Sequence, residues 1–240
     1  MKRDVLTGDH GRMCGRYAAI GTTADLVAEY DIDQVEHEAP APSHNIAPTA
    51  SVPAVVQRGD VRKLVRLKWG LVPSWAKEPR GAARLINARS ETVASKPSFR
   101  AAFTARRCLL PALGYYEWTS EHDAAGRRIK QPWFISPDTG APLTMAGLYE
   151  FWRDPDGDWL ATCTVITTTA TDRLGVIHDR MPMSIAPHNR AAWLDPDLRD
   201  PEAARALLGV DEDLRGYRVS RAVNSVRNDG PDLIAPLDRE

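Results

Sequence analysis

Cys14 follows an internal methionine, Met13, near the beginning of the chain. If translation starts at Met13, or the chain is cut after it, Cys14 carries an α-amine beside its thiol. Reference pKa values of ~8 for the amine and ~8.5 for the thiol leave both groups partly nucleophilic at neutral pH. Such a pair can condense with an aldehyde, the amine giving a Schiff base and the sulfur closing a five-membered thiazolidine ring. The alternative is that Cys14 is a small buried hydrophobe in a first strand.

Two further residues have side chains suited to proton transfer. Glu117 stands between Tyr116 and Trp118 in an aromatic segment, where a carboxylate needs a partner or a function. Partial burial would raise its pKa towards neutrality, as suits a group that relays protons. His178 is the best candidate among the histidines, because the others fall in polar loops or in the leading segment. Asp179 could orient His178, but adjacent side chains often diverge, and a lone histidine is more often structural.

Other candidate residues have side chains suited to binding. An amide at Asn87 can hold an amine or a sugar hydroxyl, and a guanidinium at Arg89 can grip a phosphate bidentately. Trp75 and Pro48 lie in loops with apolar neighbours and could stack on, or wedge between, unpaired bases. Taken singly, these residues are better explained as a turn asparagine, an exposed arginine and loop packing.

The elements that must position these residues are mostly short strands. Few helices are predicted, and the pattern indicates an α+β fold, one domain with a mostly antiparallel, barrel-like sheet and peripheral helices. We expect residues 1–13 to be an extension and 14–237 to be the domain. The segment 39–53 is interpreted as an ordered proline-rich loop, and a helix is expected to carry Val93 and Ala94. The predicted strands span 14–20, 51–57, 64–69, 107–111, 114–118, 133–136, 143–149 and 161–168.

Composition narrows the class of protein. The 240 residues include three cysteines, too few and too scattered for a disulfide framework, with no CxxC pair to suggest zinc. There is no apolar run long enough for a membrane span and no signal peptide, so a cytoplasmic protein is expected. The net charge is −1, but from Arg58 to Arg107 thirteen Lys or Arg face three acids, a local +10. This segment suggests a polyanion site, and the alternative is a solvated charged surface.

The assembled motifs resemble the SOS-response-associated peptidase (SRAP) family. Seven segments match in order between residue 13 and about residue 235. They are Met13–Tyr17, Asn45–Pro48, Trp69–Trp75, Ile86–Thr92, Gly114–Trp118, Ile177–Pro182 and Ser220–Val226. The resemblance implies a DNA-damage role, in which the protein senses abasic sites in single-stranded DNA. The ring-opened sugar of such a site exposes an aldehyde, which the terminal cysteine captures as a covalent thiazolidine crosslink that shields the lesion.

The resemblance also implies roles for individual residues. Cys14 would be the nucleophile, Asn87 would position the reacting amine and sugar, and Glu117 and His178 would handle protons. The DNA-binding residues would be Arg16, Pro48, Trp69, Trp75, Arg89 and Thr167. Arg16 and Arg89 would hold flanking phosphates. The partner would be single-stranded DNA with an abasic site, bound by a monomer in the cytoplasm or on the nucleoid, with no cofactor, metal or membrane involved.

The residues that precede Met13 depart from the family pattern, because an acylated Cys14 has no α-amine. We expect either a start at Met13 or removal of the extension, and prefer the first, since the leader is polar and lacks a periodic pattern. Two other functions stay open. One is a thiol peptidase that uses Cys14 with His178 to remove its own extension. The other is a non-covalent single-stranded DNA-binding module whose basic segment gives salt-sensitive affinity.

Overall fold

The computed structural model describes residues 15–19, 21–170, 172–211 and 213–237. Cys14, the predicted nucleophile, therefore lies outside the described residues. The described strands are β1 (Tyr17–Ala19), β2 (Gln34–Val35), β3 (Ser43–Ile46), β4 (Ser51–Arg58), β5 (Val61–Trp69), β6 (Asn87–Arg89), β7 (Arg107–Ala112), β8 (Gly114–His122), β9 (Arg128–Pro137), β10 (Leu143–Arg153), β11 (Trp159–Thr169), β12 (Arg180–Pro182) and β13 (Leu214–Arg218). The described α-helices are α1 (Thr23–Tyr30), α2 (Arg100–Ala105), α3 (Asp172–Gly175), α4 (Arg190–Leu194) and α5 (Pro201–Ala206), and 3₁₀ turns occupy Pro79–Arg84, Pro187–Asn189, Arg221–Asn224 and Pro231–Ile234.

Five strands close into a barrel. The hairpin of β4 and β5 continues through β7 and β10 to β11 in antiparallel pairs, and β11 then pairs with β5 in parallel to complete the ring. In that parallel pair, Cys163 lies opposite Trp69. Short strands β6 and β12 both pair with the last residues of β11. Several separate segments therefore meet at the end of the barrel where β11 finishes.

A second sheet of five strands lies against the barrel. Its order is β13-β9-β8-β1-β3, and every neighbouring pair is antiparallel. Gly114 is required at a close approach of two strands in this sheet, because a Cβ there would lie 2.5 Å from the carbonyl oxygen of Ile135. Such close backbone approach is possible only for glycine. Glycine at this position therefore lets the start of β8 lie close to β9.

Strand β7 illustrates how the core is layered. All six of its residues are buried, because one face lines the barrel and the other is covered by helices. Cys108 and Leu110 belong to the cluster inside the barrel, whereas Leu109 packs in a cluster with Phe103 and Trp193 from α2 and α4. This alternation is the period-2 pattern of a strand that is buried on both sides.

The buried Arg107 joins β7 to the helices. Its guanidinium donates to the carbonyl oxygens of Phe103 (2.9 Å), Trp193 (2.7 Å) and Asp195 (2.5 Å). These carbonyls belong to the last turns of α2 and α4 or to the residue after α4, where carbonyl groups have no hydrogen-bond partner within the helix. Arg107 is 3% exposed, so this cation of the basic segment serves the fold and cannot reach a ligand.

The predicted α+β architecture with a mostly antiparallel, barrel-like sheet is confirmed. Two local predictions are wrong. The segment 39–53 is not all loop, because β3 pairs with β1 within it. Val93 and Ala94 lie in successive turns, and the regular element beside them is the strand β6. Among the described residues the longest helix has eight residues, and none could cross a bilayer.

Candidate functional site

Strand β8 carries Glu117 into the interior. Glu117 is 1% exposed and lies opposite Trp133 of β9. On the other edge of β8, the amide of Tyr116 donates to the carbonyl oxygen of Arg16 at 2.9 Å, and Tyr17 lies opposite Tyr115. The backbone at Arg16, two residues after Cys14, therefore runs alongside the strand that holds the buried carboxylate.

His178 reaches the same place from the barrel. It lies between α3 and β12, where its amide donates to the Leu174 carbonyl oxygen at 3.1 Å. The neighbouring Asp179 carbonyl accepts from the Ala170 amide at 2.9 Å, which ties this loop to the end of β11. The His178 side chain is 16% exposed, and its Nε2 lies 3.8 Å from Oε2 of Glu117. The structure thus brings together the two residues that the sequence nominated for proton transfer.

The other nitrogen of the His178 ring has two neighbours. The backbone amide of Arg180 donates to His178 Nδ1 at 3.1 Å. The carboxylate Oδ1 of Asp179 lies at the same distance, 3.1 Å, from Nδ1. Both ring nitrogens therefore face groups that decide where the imidazole proton resides.

Asn87 and Arg89 lie beside the end of β11. Their strand, β6, runs parallel to β11 with Asn87 opposite Val165 and Arg89 opposite Thr167. Residues two apart on a strand share a face, so both side chains lie opposite to that of the buried Ala88. Asn87 is partly buried and Arg89 is exposed. Arg89 is thus accessible to a ligand at this end of the barrel.

Thr167 is completely buried and has an internal partner. It pairs with Pro182 of β12 on the side of β11 opposite to Arg89. Its hydroxyl and carbonyl oxygens accept from the Arg180 guanidinium at 3.3 Å and 2.7 Å. Its contacts in this structure are those of a residue that supports the segment around His178.

Arg16 is held by protein groups. Its guanidinium donates to the side-chain oxygen of Asn45 and to the Val223 carbonyl oxygen, the latter at 2.9 Å. It also lies over the Trp118 ring, 5.9 Å from the centroid. Burial lowers the pKa of Arg16, although Tyr116 acts in the opposite direction. These contacts fasten the backbone next to Cys14 to the C-terminal part of the chain.

The two tryptophans of the Trp69–Trp75 segment have different surroundings. Trp69 is 1% exposed, donates from Nε1 to the Ile86 carbonyl oxygen at 3.0 Å, and packs edge-on against Tyr17. It therefore supports the residue before Asn87 from within the core. Trp75 is 67% exposed and presents its ring to solvent. Pro48 is partly buried in the loop between β3 and β4. The next residue, Thr49, donates from its amide to the carbonyl oxygen of Trp69 at the end of β5.

Three residues at the site received no individual role from the sequence. Asn45 is buried and donates from its amide to the carbonyl oxygens of Ser225 (3.0 Å) and Asn228 (2.7 Å). Glu91 and Arg180 form a bidentate ion pair. All three lie inside the segments that match the family, and this was the feature of the sequence that could have identified them. Motif membership does not say which partner each side chain has.

The two described cysteines are unsuited to nucleophilic chemistry. Cys108 and Cys163 are both fully buried inside the barrel. Burial raises the pKa of each thiol well above its usual value, which disfavours the thiolate. The described residues also contain no cluster of three side chains that could ligate a metal.

Comparisons with known proteins identify relatives along most of the chain. The family model for SOS response associated peptidase (SRAP) matches residues 13–226. Abasic site processing protein YoqW of Bacillus subtilis is 38% identical over 225 residues, which cover 92% of this chain and 99% of the relative. YedK of Escherichia coli, described likewise, is 34% identical over 94% of this chain and 100% of its own. HMCES of Gallus gallus, also named an abasic site processing protein, is 34% identical over 82% of this chain and 67% of its own.

Solved structures show the same fold. A protein of Bacteroides thetaiotaomicron aligns with a TM-score of 0.79 at 24% identity, over 93% of this chain and 100% of its own. A phage-related protein of Bordetella bronchiseptica aligns with a TM-score of 0.69 at 28% identity, over 87% of this chain and 95% of its own. The match to the family model and the identity to full-length relatives together establish that this chain belongs to the SOS response associated peptidase (SRAP) family.

Proposed function

We propose that this protein senses abasic sites in single-stranded DNA and captures them covalently through Cys14, so that the lesion is shielded. The observation that carries the proposal is the proximity of Glu117 and His178. Glu117 lies on β8, and the neighbouring residue of β8, Tyr116, hydrogen-bonds to the backbone of Arg16, two residues after Cys14. The relatives named abasic site processing proteins support the choice of substrate. We further propose that the protein acts as a monomer in the cytoplasm or at the nucleoid.

The reaction requires the aldehyde of a ring-opened abasic sugar. The α-amine of Cys14 adds to the aldehyde carbon, and the resulting carbinolamine loses water to give an imine. The Cys14 thiolate then adds to the imine carbon and the imine nitrogen takes up a proton, which closes the thiazolidine. The net change joins protein and DNA with loss of one water molecule. It needs an α-amine at Cys14, so residues 1–13 must be absent from the reacting protein.

Each step of this reaction moves a proton, and the proximity of Glu117 and His178 supports a role for both in these transfers. Since His178 Nε2 and Glu117 Oε2 are 3.8 Å apart, a reacting atom to one side of the gap, forming a triangle with them, can be within hydrogen-bond distance of both. Glu117 and His178 are the proposed proton carriers for opening of the sugar ring, loss of water and reversal of the crosslink. Asn87 would orient the amine and the sugar.

DNA binding would use exposed side chains. Arg89 is accessible and would pair with a phosphate that flanks the lesion. Trp75 presents an exposed ring on which a base could stack, a contact worth roughly 1 to 3 kcal/mol. Arg16, Pro48, Trp69 and Thr167 would contribute mainly by holding the surrounding backbone, because their described contacts are with protein groups or they are buried or partly buried.

Two substitutions of Cys14 test the covalent chemistry. With a single-stranded DNA that carries one abasic site, the protein beginning at Cys14 should give a denaturation-resistant adduct without added reductant. Cys14→Ser keeps the amine but loses the thiol, so its adduct should survive only when borohydride traps the imine. Cys14→Ala should behave like Cys14→Ser. A stable, reductant-independent adduct with Cys14→Ala would overturn the proposal.

A thiol peptidase is the second candidate, favoured by the residues that precede Met13 and by the family's description. In this reaction Cys14, assisted by His178, would release the leading segment. Expression of the full chain and of its Cys14→Ala variant separates the candidates. Loss of residues 1–13 only when Cys14 is intact would support the peptidase. Equal loss in both would reject self-cleavage.

A further inference from the structure

Arg180 is a buried cation that ties three segments together near His178. Its guanidinium donates to both carboxylate oxygens of Glu91, at 2.6 Å and 2.9 Å. It also donates to the Thr167 carbonyl oxygen at 2.7 Å and approaches the Thr169 hydroxyl at 3.4 Å. The Arg180 side chain is 9% exposed, whereas that of Glu91 is 46% exposed. The turn after β6, the end of β11 and the start of β12 thus share this one side chain.

The backbone amide of Arg180 contacts the imidazole of His178. The amide of Arg180 donates to His178 Nδ1 at 3.1 Å, and the carboxylate of Asp179 lies 3.1 Å from the same atom. A neutral imidazole has one protonated and one unprotonated nitrogen. Nδ1 can therefore accept from the Arg180 amide or donate to Asp179, but it cannot do both. The two arrangements correspond to the two neutral tautomers of His178.

The tautomer decides whether neutral His178 is a hydrogen-bond donor or a second base beside Glu117. With Nδ1 accepting from Arg180, the ring proton is on Nε2 and is directed at Glu117, 3.8 Å away. Neutral His178 is then a hydrogen-bond donor towards the reacting atoms, and the carboxylate of Glu117 is the proton acceptor. With the proton on Nδ1, an unprotonated Nε2 would face the carboxylate, and His178 would be a second base.

We propose that Glu91 is a positioning residue for His178. By fixing Arg180 in a bidentate pair, Glu91 keeps the Arg180 amide against Nδ1 and so holds the ring proton on Nε2, facing Glu117. The role in crosslinking rests on the proposed function, whereas the tautomer is a property of the protein alone. The hydrogen bonds from Arg180 also lower the pKa of Glu91, so this carboxylate stays charged and keeps its grip on the guanidinium at neutral pH.

Glu29 provides a matched control. It forms an ion pair with Arg190 at 2.8 Å, in which the arginine side chain is 13% exposed and the glutamate 39% exposed. These values resemble those of the Arg180–Glu91 pair, but Arg190 lies in α4 and contacts Tyr30 and Thr144. Glu29→Gln therefore removes an equivalent charge without changing the surroundings of His178.

The test is ¹⁵N NMR of histidine-labelled protein, with the His178→Gln variant used to assign the His178 signals. We expect neutral His178 in the unaltered protein to show a pyridine-type Nδ1 and a pyrrole-type Nε2. Glu91→Gln should shift the population towards a protonated Nδ1. The double variant Glu91→Gln/Asp179→Asn should restore the original pattern, because a neutral amide attracts the Nδ1 proton less than a carboxylate does and can itself donate to Nδ1. Glu29→Gln should leave the signals unchanged.

Crosslinking rates give the functional readout. Glu91→Gln should slow adduct formation about tenfold, a modest share of what a general acid or base contributes, and the double variant should recover most of that loss. Asp179→Asn alone should change neither the tautomer nor the rate. A protonated Nδ1 in the unaltered protein, or an unchanged tautomer in Glu91→Gln, would overturn the inference. If the unaltered protein formed no adduct while the NMR pattern followed expectation, the proposed function would fail and the tautomer assignment would stand.

Discussion

His178 Nε2 lies 3.8 Å from Glu117 Oε2, and the two residues come from different parts of the fold. Glu117 is on β8 of the antiparallel sheet, and His178 precedes β12 at the end of the barrel. The separation is longer than a direct hydrogen bond. Because Glu117 is held by the pairing of β8 with β9 and His178 by the loop before β12, the packing of these two regions sets the gap between them.

Glu117→Gln should slow crosslinking at least about a hundredfold, because the amide keeps the shape of the carboxylate but cannot accept a proton. The measurement is the single-turnover rate of adduct formation with an abasic single strand. Glu121→Gln on the same strand is the control, since Glu121 contacts only Thr119 and Arg218 among the described partners. Equal rates for Glu117→Gln and Glu121→Gln would remove Glu117 from the mechanism.

Alkylation of the native protein should consume one thiol. Cys108 and Cys163 are buried and their pKa values are raised by burial, so the thiolate is scarce and inaccessible. Mass spectrometry after brief iodoacetamide treatment should place the label on Cys14, and three labels should appear after unfolding. Native labelling of Cys108 or Cys163 at a comparable rate would contradict this account of the barrel.

The Glu91–Arg180 pair should make stability depend on pH. The pKa of Glu91 is lowered in the folded state, chiefly by hydrogen bonds from Arg180. Its contribution is therefore present above the unfolded value near ~4.3 and is lost as pH falls through the lower folded value. The free energy of unfolding, measured with denaturant, should differ between the unaltered protein and Glu91→Gln near neutral pH and converge in acid. A difference that grew on acidification would contradict the assignment.

Asn45→Ala should lower the free energy of unfolding by about 1 to 3 kcal/mol, because it leaves the carbonyl groups of Ser225 and Asn228 and the Arg16 guanidinium without that amide. Thermal unfolding followed by circular dichroism measures the change. Asn189→Ala is the control, since the Asn189 side chain makes no capping hydrogen bond at α4. Similar shifts for the two variants would show that the contacts of Asn45 add little.

The burial of Glu117 could be predicted from its aromatic neighbours, and the strands of the barrel from their apolar patterns. The closure of the barrel could not, because it depends on a parallel pairing of β5 with β11 that no local pattern specifies. Strands β6 and β12 have only three residues each, too few for a periodic signal. They place Asn87 and Arg180 only because the end of β11 offers partners on both sides.

The aromatic and charged residues show a second limit of the sequence. A tryptophan can be core or stacking surface, and only the fold distinguishes the buried Trp69 from the exposed Trp75. The basic segment likewise divides between internal and surface roles. Arg107 binds helix carbonyls in the interior, while Arg89 remains exposed beside the site. Local net charge counts both equally, so it overstates the cations available to DNA.

The intact mass of the protein after incubation with one abasic single strand tests the central claim most directly. The N-terminus is first verified to be Cys14. The account predicts a one-to-one species whose mass equals protein plus DNA minus one water, formed without reductant and absent with an intact strand. Protein that begins at Cys14 and binds the abasic strand, yet remains entirely unmodified, would contradict it.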